Sequence, residues 1–329
     1  MFDSFHDFAK NVRPALDKAF SRELVQLLDT GVPGPHDWLQ GLNGGKKIRG
    51  LLLCLVARTL GASLEKALPR AVAVELIQTA TLIHDDYIDG HRTRRSLPAL
   101  WTLDGPRRAV LLGDVLFSSA IFLLSGMGSL DCGIGSRTIA RLALGAWQEP
   151  LDKRALLSAI NSRQADYELI ISLKTGVLFA AASELGAVAA GVDASSLGPW
   201  RGYGMKVGEA YQLADDLHEM ERSFDRRDVS MEALTDLAPA LLYFVPDSGQ
   251  VIEQALRREK PLSILEIRPF LSQAIGLMKR ERERRLRAAA AELDDVRGEP
   301  QLMDLVRRAP LDLIGMFDRS ISMAGQCRG

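Results

Sequence analysis

Helical periodicity is the feature of this sequence that most restricts its fold. Apolar residues recur three or four positions apart, as in Ala73, Leu76, Ile77, Ala80 and Ile83, and this spacing places them on one face of a helix. Similar patterns occupy residues 108–124, 137–147, 155–173, 175–190, 197–220 and 271–293. Alternating strand patterns bounded by hairpin turns are scarce. The periodicity predicts an all-α protein of roughly ten or more helices.

Glycine and proline divide the helical stretches. Breaks are expected at residues 31–45, 126–135, 193–199, 224–230, 246–249 and 298–300, and at Pro150, Pro261 and Pro269, because both residue types disfavour helix continuation. None of these segments has the composition of a domain linker, and no repeat of solenoid period is present. We expect residues 1–329 to form a single domain.

Composition excludes several classes of partner. The chain carries 41 basic and 42 acidic residues, whereas a nucleic-acid binder needs a basic surface excess. The charged run KRERERRLR at residues 279–287 mixes signs and suits a solvated helix face. Cys54, Cys132 and Cys327 are far apart, which favours neither a disulfide framework nor a zinc site and fits the cytosol. No nucleic-acid partner is expected.

No membrane-spanning or secretory segment is expected either. The first twenty residues contain acids and lack an apolar signal region. A bilayer span needs about 20 apolar residues, but Asp114 interrupts residues 109–124 and Glu184 interrupts residues 175–192. The sequence therefore predicts a cytoplasmic protein without a transmembrane segment.

Two segments of the form DDxx(D/E), LIHDDYIDG and YQLADDLHEM, carry candidate chemistry. Because residues four apart share a helix face, Asp85 lies with Asp89 and Asp215 with Glu219. Adjacent carboxylates raise each other's pKa unless a cation neutralises them, and Mg²⁺ prefers such ligands together with substrate phosphate oxygens. One motif alone would equally suit a solvated helix end. Two motifs, each after an apolar run, favour a magnesium–diphosphate site.

Cations surround the two carboxylate motifs. GGKKIR at residues 44–49 combines a flexible glycine pair with three cations, Arg94 and Arg95 follow the first motif, and Lys174 and Thr175 lie between two apolar stretches. Arginine binds phosphate through a planar fork, and the segment lacks the Walker pattern. Each cation alone is more often a surface residue, but their order around the carboxylates predicts an anion site.

Together these segments resemble the polyprenyl synthetase family. The matching segments are residues 44–49, ELIQ at 75–78, TATLIHDDYID with Arg94 and Arg95, Gly113 and Asp114 with Leu116, Lys174 with Thr175, and GEAYQLADDLHE at 208–219. They occur in the family's order from about residue 44 to residue 219. The resemblance implies the isoprenoid synthase fold, an all-α helical bundle around a deep central cavity with two facing aspartate-rich motifs.

The resemblance also implies an activity, that of a trans-polyprenyl diphosphate synthase. Such a prenyltransferase elongates an allylic diphosphate with isopentenyl diphosphate by magnesium-assisted ionisation, condensation and proton loss. The implied cofactor is Mg²⁺, as about three ions with bound diphosphate, and the implied assembly is a homodimer.

Site residues are carried over from the family motifs as follows. The metal ligands are Asp85, Asp86, Asp89, Asp215, Asp216 and Glu219. The catalytic residues are Asp85, Asp89, Lys174 and Asp215. The contacts to isopentenyl diphosphate are Lys46, Arg49, Gln78 and Arg95, and those to the allylic substrate are Arg94, Lys174, Thr175 and Gln212.

The sequence departs from the family pattern at several positions. Gly50 replaces the usual proline, Lys47 an arginine, Gln78 a frequent histidine and Glu219 the last aspartate of the second motif. After Glu219 the family's two glycine–lysine segments are missing. Arg226 or Arg227 can stand in for the first lysine, and the second has no counterpart.

Two other functions remain open. A class I terpene cyclase on the same fold would need no isopentenyl site, and Lys46, Arg49 and Arg95 argue against it. A regulatory subunit of a heteromeric synthase is disfavoured by the complete first motif and favoured by the altered segment after Glu219.

Product length is suggested by two small residues. Thr81 and Ala80 lie four and five positions before Asp85, about one helical turn deeper along the wall of the implied cavity. The family's short-chain enzymes often place aromatic rings there. We therefore expect geranylgeranyl diphosphate or a longer product, unless a bulkier residue such as Ile77 or Phe117 closes the cavity.

Overall fold

The computed structural model describes residues 2–29, 42–149, 153–162, 167–224, 228–258 and 262–326. The predicted positions outside these ranges include residues 31–41 of the first predicted break, Pro150, Arg226, Arg227, Pro261 and Cys327. Helices form most of the described chain, so the predicted all-α class is confirmed.

The helices follow one another along the chain with short connections. They are α1 Phe5–Asp29, α2 Ile48–Thr59, α3 Leu64–Ile88, α4 Leu100–Asp104, α5 Pro106–Ser125, α6 Ser129–Gln148, α7 Lys153–Ser162, α8 Tyr167–Ile171, α9 Val177–Ala189, α10 Gly198–Ser223, α11 Met231–Phe244, α12 Gly249–Arg258, α13 Ile264–Ala291 and α14 Pro300–Gln326. A π-helical turn, Ser172–Gly176, joins α8 to α9, and 3₁₀ turns occupy Ala194–Ser196 and Pro246–Ser248.

Two short antiparallel strand pairs accompany the helices. β1 (Thr93–Arg94) pairs with β2 (Leu97–Pro98) just after α3. β3 (Asp228–Val229) pairs with β4 (Leu262–Ser263), which brings the segment after α10 to the start of α13.

The apolar core has two main parts, which meet along α10. The first is built largely from α1, α2, α3, α5 and α9, and includes Val207 of α10. The second is built largely from α10 to α13 and includes Leu213 and Leu217. Burial of apolar area supplies most of the driving force for such packing. Since α10 belongs to both parts, it places the second carboxylate motif between them.

Helix α3 confirms the periodicity from which the fold was predicted. Its apolar residues Ala73, Leu76 and Ile77 are buried. Towards its end it packs closely on α5, where a Cβ at Gly113 would lie 2.1 Å from Nε2 of His84. That nitrogen lies 2.9 Å from the carbonyl oxygen of Val110. The contact requires glycine and fixes the end of α3 that carries Asp85.

One predicted helix break is wrong, and two predicted boundaries differ in extent, each for a local reason. The break predicted at residues 126–135 is present but shorter than expected, because α5 ends at Ser125 and α6 begins at Ser129. Helix α6 includes Gly135, where a Cβ would lie 2.4 Å from Cδ1 of Leu124, so this glycine serves packing. Pro269 lies near the start of α13, where a missing N–H removes a single hydrogen bond of the helix. The boundary at Lys174 is the π-helical turn, through which the helical chain continues.

Two segments, Pro106–Ser125 and Tyr167–Ala189, are long and apolar enough to cross a membrane by length and composition alone. This is a weak criterion, because buried core helices also satisfy it. The second segment is mostly buried in the fold, whereas 33% of the first is buried. The predictions of a single domain and of a cytoplasmic location stay predictions.

Candidate active site

The first carboxylate motif lies at the C-terminal end of α3. The N–H of Asp89 donates to the carbonyl oxygen of Asp85 at 2.8 Å, so the two residues are one helical turn apart, as their spacing predicts. Burial raises the pKa of Asp85 to about 6, although nearby Lys174 opposes the shift. The charged form of Asp85 is therefore destabilised unless another cation approaches.

Asp86, the middle residue of the motif, has a different environment. It is buried, and its carboxylate accepts hydrogen bonds from Arg94, whose Nε lies 2.8 Å from each oxygen. Arg94 belongs to β1, so this ion pair joins the hairpin to α3. The roles predicted for Asp86 in metal binding and for Arg94 in substrate binding stay predictions.

The second motif lies on α10. Asp215 is exposed on one side, yet the surrounding helices still desolvate it and raise its pKa, while His218 opposes the shift. Asp216 accepts hydrogen bonds from the Tyr167 hydroxyl and from Nε2 of Gln212, the latter at 2.8 Å. Burial raises the pKa of Asp216 to about 6. Glu219 lies one turn further along α10 and interacts electrostatically with Asp215.

Lys174 connects the two motifs. Its Nζ lies 2.7 Å from both carboxylate oxygens of Glu149, and it interacts with Asp85 and Asp89 on one side and with the Asp215–Asp216 pair on the other. Its neighbour Thr175 donates to Oε1 of Gln212 at 2.6 Å. The structure thus brings together Asp85, Asp89, Lys174, Thr175, Gln212, Asp215 and Asp216.

A second group of cations lies beside the second motif. Arg49 and Arg95 both interact with Glu75 and Tyr211, and Lys46 and Arg49 both interact with Asp215. Burial lowers the pKa of all three cations. Such desolvated cations favour an anionic ligand.

Among these cations, Arg49 shows most directly why an anionic ligand would be favoured. Its guanidinium carbon lies 4.6 Å from the ring centroid of Phe179, and its buried Nε has no hydrogen-bond partner within the described chain. A buried donor without a partner costs about 1–3 kcal/mol, and a diphosphate oxygen would supply the missing acceptor. Gln78 lies one turn after Glu75 on the same helix, as its predicted place in this group requires.

The loops that present these cations have unusual backbone geometry. Lys47 (φ 48°), Arg95 (φ 52°) and Ser96 (φ 65°) all lie in the left-handed region, which non-glycine residues seldom adopt. At Gly45 (φ 114°) a Cβ would lie 2.7 Å from Nη2 of Arg95. The turn around Gly45 therefore lets the Arg95 guanidinium approach the backbone of the GGKKIR segment.

The carboxylates fit the Mg²⁺ that the sequence resemblance implies. Among the described residues, no three carboxylate, imidazole or thiol groups converge on one ion position, but Mg²⁺ is usually held by one or two carboxylates together with substrate phosphates and water. Burial raises the pKa of Asp85, Asp215 and Asp216 even though cations or hydrogen-bond donors lie near each of them. Divalent cations bridging to a diphosphate would compensate their negative charge.

Several residues near the site were not predicted. Glu149, the partner of Lys174, belongs to no family motif, and Tyr167, which donates to Asp216, lies in the helical pattern of residues 155–173. Asp236 of α11 interacts with Asp89, His91 and Glu219. It lies in the segment that departs from the family pattern, so no motif identified it.

These features define an all-helical protein with two carboxylate motifs around a lysine and a separate group of anion-binding cations. The polyprenyl synthetase family model matches residues 39–238, which is more than half of the chain. The chain belongs to the polyprenyl synthetase family, as its sequence resemblance predicts.

Curated relatives show the same relationship. The chain is 34% identical over 184 residues to the geranylgeranyl diphosphate synthase of Methanosarcina mazei, a match covering 54% of this chain and 55% of that protein. It is 37% identical over 180 residues to the (2E,6E)-farnesyl diphosphate synthase of Mycobacterium tuberculosis, covering 53% of this chain and 49% of the relative. The chain thus spans about half the length of these relatives.

Solved structures match over nearly the whole chain. A polyprenyl synthase from Caulobacter crescentus, complexed with calcium and isoprenyl diphosphate, has a TM-score of 0.72 and 26% identity, covering 93% of this chain and 97% of the other. A decaprenyl diphosphate synthase from Rhodobacter capsulatus has a TM-score of 0.73 and 21% identity, covering 94% and 98%. The predicted isoprenoid synthase bundle is therefore confirmed.

Proposed function

We propose that this protein is a trans-polyprenyl diphosphate synthase, which elongates an allylic diphosphate with isopentenyl diphosphate. The observation that carries the proposal is that Lys174 interacts electrostatically both with Asp85 and Asp89 on α3 and with Asp215 and Asp216 on α10. Relatives named geranylgeranyl, geranylfarnesyl and farnesyl diphosphate synthase support the same reaction class.

In this proposal each of the two groups of residues binds a different substrate. Lys174, Thr175 and Gln212 bind the allylic diphosphate, and Arg49 binds isopentenyl diphosphate together with Lys46, Gln78 and Arg95. When bound, Mg²⁺ neutralises the leaving diphosphate as a Lewis acid. The metal-facing carboxylates are Asp85, Asp89, Asp215 and Glu219, with Asp86 and Asp216 in support.

The same arrangement accounts for the later steps. Breaking the allylic C–O bond leaves an allyl cation, which water would quench, so the reaction needs an apolar and dry surround. The isopentenyl double bond then attacks that cation, and a proton leaves the new carbocation. The departed diphosphate, which Lys174 would hold close, would accept this proton as the base.

We further propose that the protein acts as a homodimer through α5 and α6. Their outer faces expose apolar side chains, namely Leu111, Phe122, Leu144 and Trp147. Phe122 and Trp147 are 78% and 84% exposed. Exposed apolar patches mark interfaces or binding grooves, and a second copy of the same chain would bury these side chains.

The function is tested by incubating the protein and Mg²⁺ with labelled isopentenyl diphosphate and allylic primers of increasing length. Chromatography of the dephosphorylated products should show chain elongation that requires both substrates and is abolished by a chelator. A cyclic hydrocarbon formed without isopentenyl diphosphate would instead indicate a terpene cyclase. No turnover with any primer, together with activation of a separate synthase, would indicate a regulatory subunit.

A further inference from the structure

Arg285 of α13 lies outside the segment that matches the family model and binds three glutamates. Its side chain is 7% exposed. Nη1 lies 2.5 Å from Oε2 of Glu209 on α10, Nη2 lies 3.0 Å from Oε1 of Glu168 on α8, and Nε lies 2.7 Å from Oε1 of Glu281 on its own helix. One guanidinium thus joins three helices behind the site.

The first connection runs from Arg285 to the π-helical turn. Glu209, which Arg285 holds, accepts a hydrogen bond from Oγ of Ser172 at 2.5 Å. Ser172 is the first residue of the turn that contains Lys174 and Thr175. Single π-helical turns within α-helices occur frequently at functional sites. The Arg285–Glu209 pair therefore supports the segment that presents Lys174.

The second connection runs from Arg285 to the second motif. Glu168 accepts from the hydroxyl of Tyr243 as well as from Arg285. The residue before it, Tyr167, donates its hydroxyl to Asp216, and its ring centroid lies 5.5 Å from that of Tyr243. Arg285 thus fixes the short helix that supplies the hydrogen bond to Asp216.

We propose that Arg285 is a positioning residue that sets Lys174 and Asp216 relative to each other and thereby controls binding of the allylic diphosphate. This inference rests on the proposed function. Removal of one partner of a buried ion pair leaves the other charge buried and uncompensated. Loss of Arg285 should therefore displace the glutamates that it holds. Lys46 and Arg49 interact instead with Asp215, and Arg49 and Arg95 with Glu75 and Tyr211, so isopentenyl diphosphate binding should depend less on Arg285.

The test compares Arg285→Met, Arg285→Lys and Ser172→Ala with wild type. Arg284→Met is the matched control, because Arg284 also binds Glu281, at 2.6 Å, but its side chain is 63% exposed. Steady-state kinetics give KM for each substrate and kcat. Calorimetry with Mg²⁺ and inorganic diphosphate measures anion binding without turnover.

Arg285→Met should raise KM for the allylic diphosphate and weaken diphosphate binding by about tenfold, which corresponds to about 1.4 kcal/mol. KM for isopentenyl diphosphate should stay within about twofold. Ser172→Ala should shift the same quantities in the same direction but less, Arg285→Lys should restore part of the loss, and Arg284→Met should match wild type.

Equal rises in both KM values for Arg285→Met, or an Arg284→Met variant with the same defect, would overturn the inference. If Arg285→Met loses its helical circular dichroism, Ser172→Ala and Arg285→Lys test the inference instead. Unchanged KM for the allylic diphosphate and unchanged diphosphate affinity in both variants would then refute the role of Arg285. A wild type that binds Mg²⁺ and diphosphate but elongates no primer would refute the proposed function alone. The calorimetric affinity for inorganic diphosphate would then still test the positioning role of Arg285.

Discussion

Nε of Arg94 lies 2.8 Å from each carboxylate oxygen of Asp86, and Nη2 of Arg94 lies 2.7 Å from Oδ1. The middle carboxylate of the first motif is therefore neutralised by the hairpin that follows it. Asp85 and Asp89 instead face Lys174. The three acids of one motif thus differ in their dependence on a metal ion.

This difference predicts how the carboxylates respond to substitution. Asp85→Ala and Asp215→Ala should each lower turnover by at least about a hundredfold, since they remove electrostatic stabilisation of the leaving group. Circular dichroism should show unchanged helical content. Asp86→Asn should lower turnover less but also lower the thermal midpoint, because Arg94 loses its charged partner. Turnover is measured across a magnesium titration for all three variants.

Near-normal turnover in both alanine variants would remove the metal-site assignment. If Asp86→Asn instead needed as much additional Mg²⁺ for turnover as Asp85→Ala, Asp86 would be a direct metal ligand. The ion pair with Arg94 would then exist only in the protein without bound metal.

The two groups of cations predict separate substrate defects. Arg49→Ala should raise KM for isopentenyl diphosphate, because its buried Nε needs the acceptor that this substrate would supply. Lys174→Ala should raise KM for the allylic substrate and lower kcat, because Lys174 faces both carboxylate motifs. Steady-state kinetics with each substrate varied in turn measure both KM values. Equal changes of the two KM values in each variant would contradict separate binding sites.

Lys47→Met supplies the control within the same segment. Nζ of Lys47 lies 3.1 Å from Oδ1 of Asp17 on α1 and 2.9 Å from the carbonyl oxygen of Asn43, so protein groups already bind it. This variant should unfold at lower temperature while retaining KM for isopentenyl diphosphate. A large rise in that KM would place Lys47 among the substrate contacts.

Much of the helical framework and the carboxylate pairing was predictable from the sequence. Helical spacing alone relates Asp85 to Asp89 and Asp215 to Glu219, and apolar periodicity identifies the buried face of α3. These are local relationships, so one chain segment contains all the information that they need.

Relationships between distant segments were not predictable in this way. The sequence shows two adjacent lysines but not that Lys47 is buried while Lys46 is exposed, since this depends on α1. Gly50 is a departure from the family pattern that the structure explains. Its N–H donates to Oε1 of Glu75 at 2.7 Å, and proline has no N–H to donate.

The exposed apolar face of α5 and α6 predicts self-association. Phe122→Glu combined with Trp147→Glu should convert a dimer to a monomer, because two buried charges at an interface are strongly unfavourable. Leu265→Glu is the control, since Leu265 is 74% exposed at the start of α13, far along the chain from this face. Sedimentation velocity measures the outcome, and a monomeric wild type or a dimeric double variant would contradict the homodimer.

The last prediction concerns product length, and the structure separates the two residues on which it depends. Thr81 lies one turn below Asp85 on the same face of α3, because the two are four residues apart. Ala80 shares a face with His84, whose ring lies 5.6 Å from that of Phe117 on α5. Ala80 is fully buried, whereas Thr81 is partly exposed. A larger side chain at position 81 should therefore obstruct the growing product with less disturbance of core packing than one at position 80.

Thr81→Phe should shorten the main product, because an aromatic ring directly below the carboxylates would occupy the path of a growing chain. Ala80→Phe should also shorten it if the wall extends to that residue, but it should lower the thermal midpoint as well, since overpacking a buried site costs about 1–3 kcal/mol. Thr81→Val is the size-matched control and should leave product length unchanged. Chromatography of dephosphorylated products decides among these results. A wild-type product of fifteen carbons, or an unaltered distribution from an active Thr81→Phe enzyme, would show that a bulkier residue such as Ile77 closes the cavity instead.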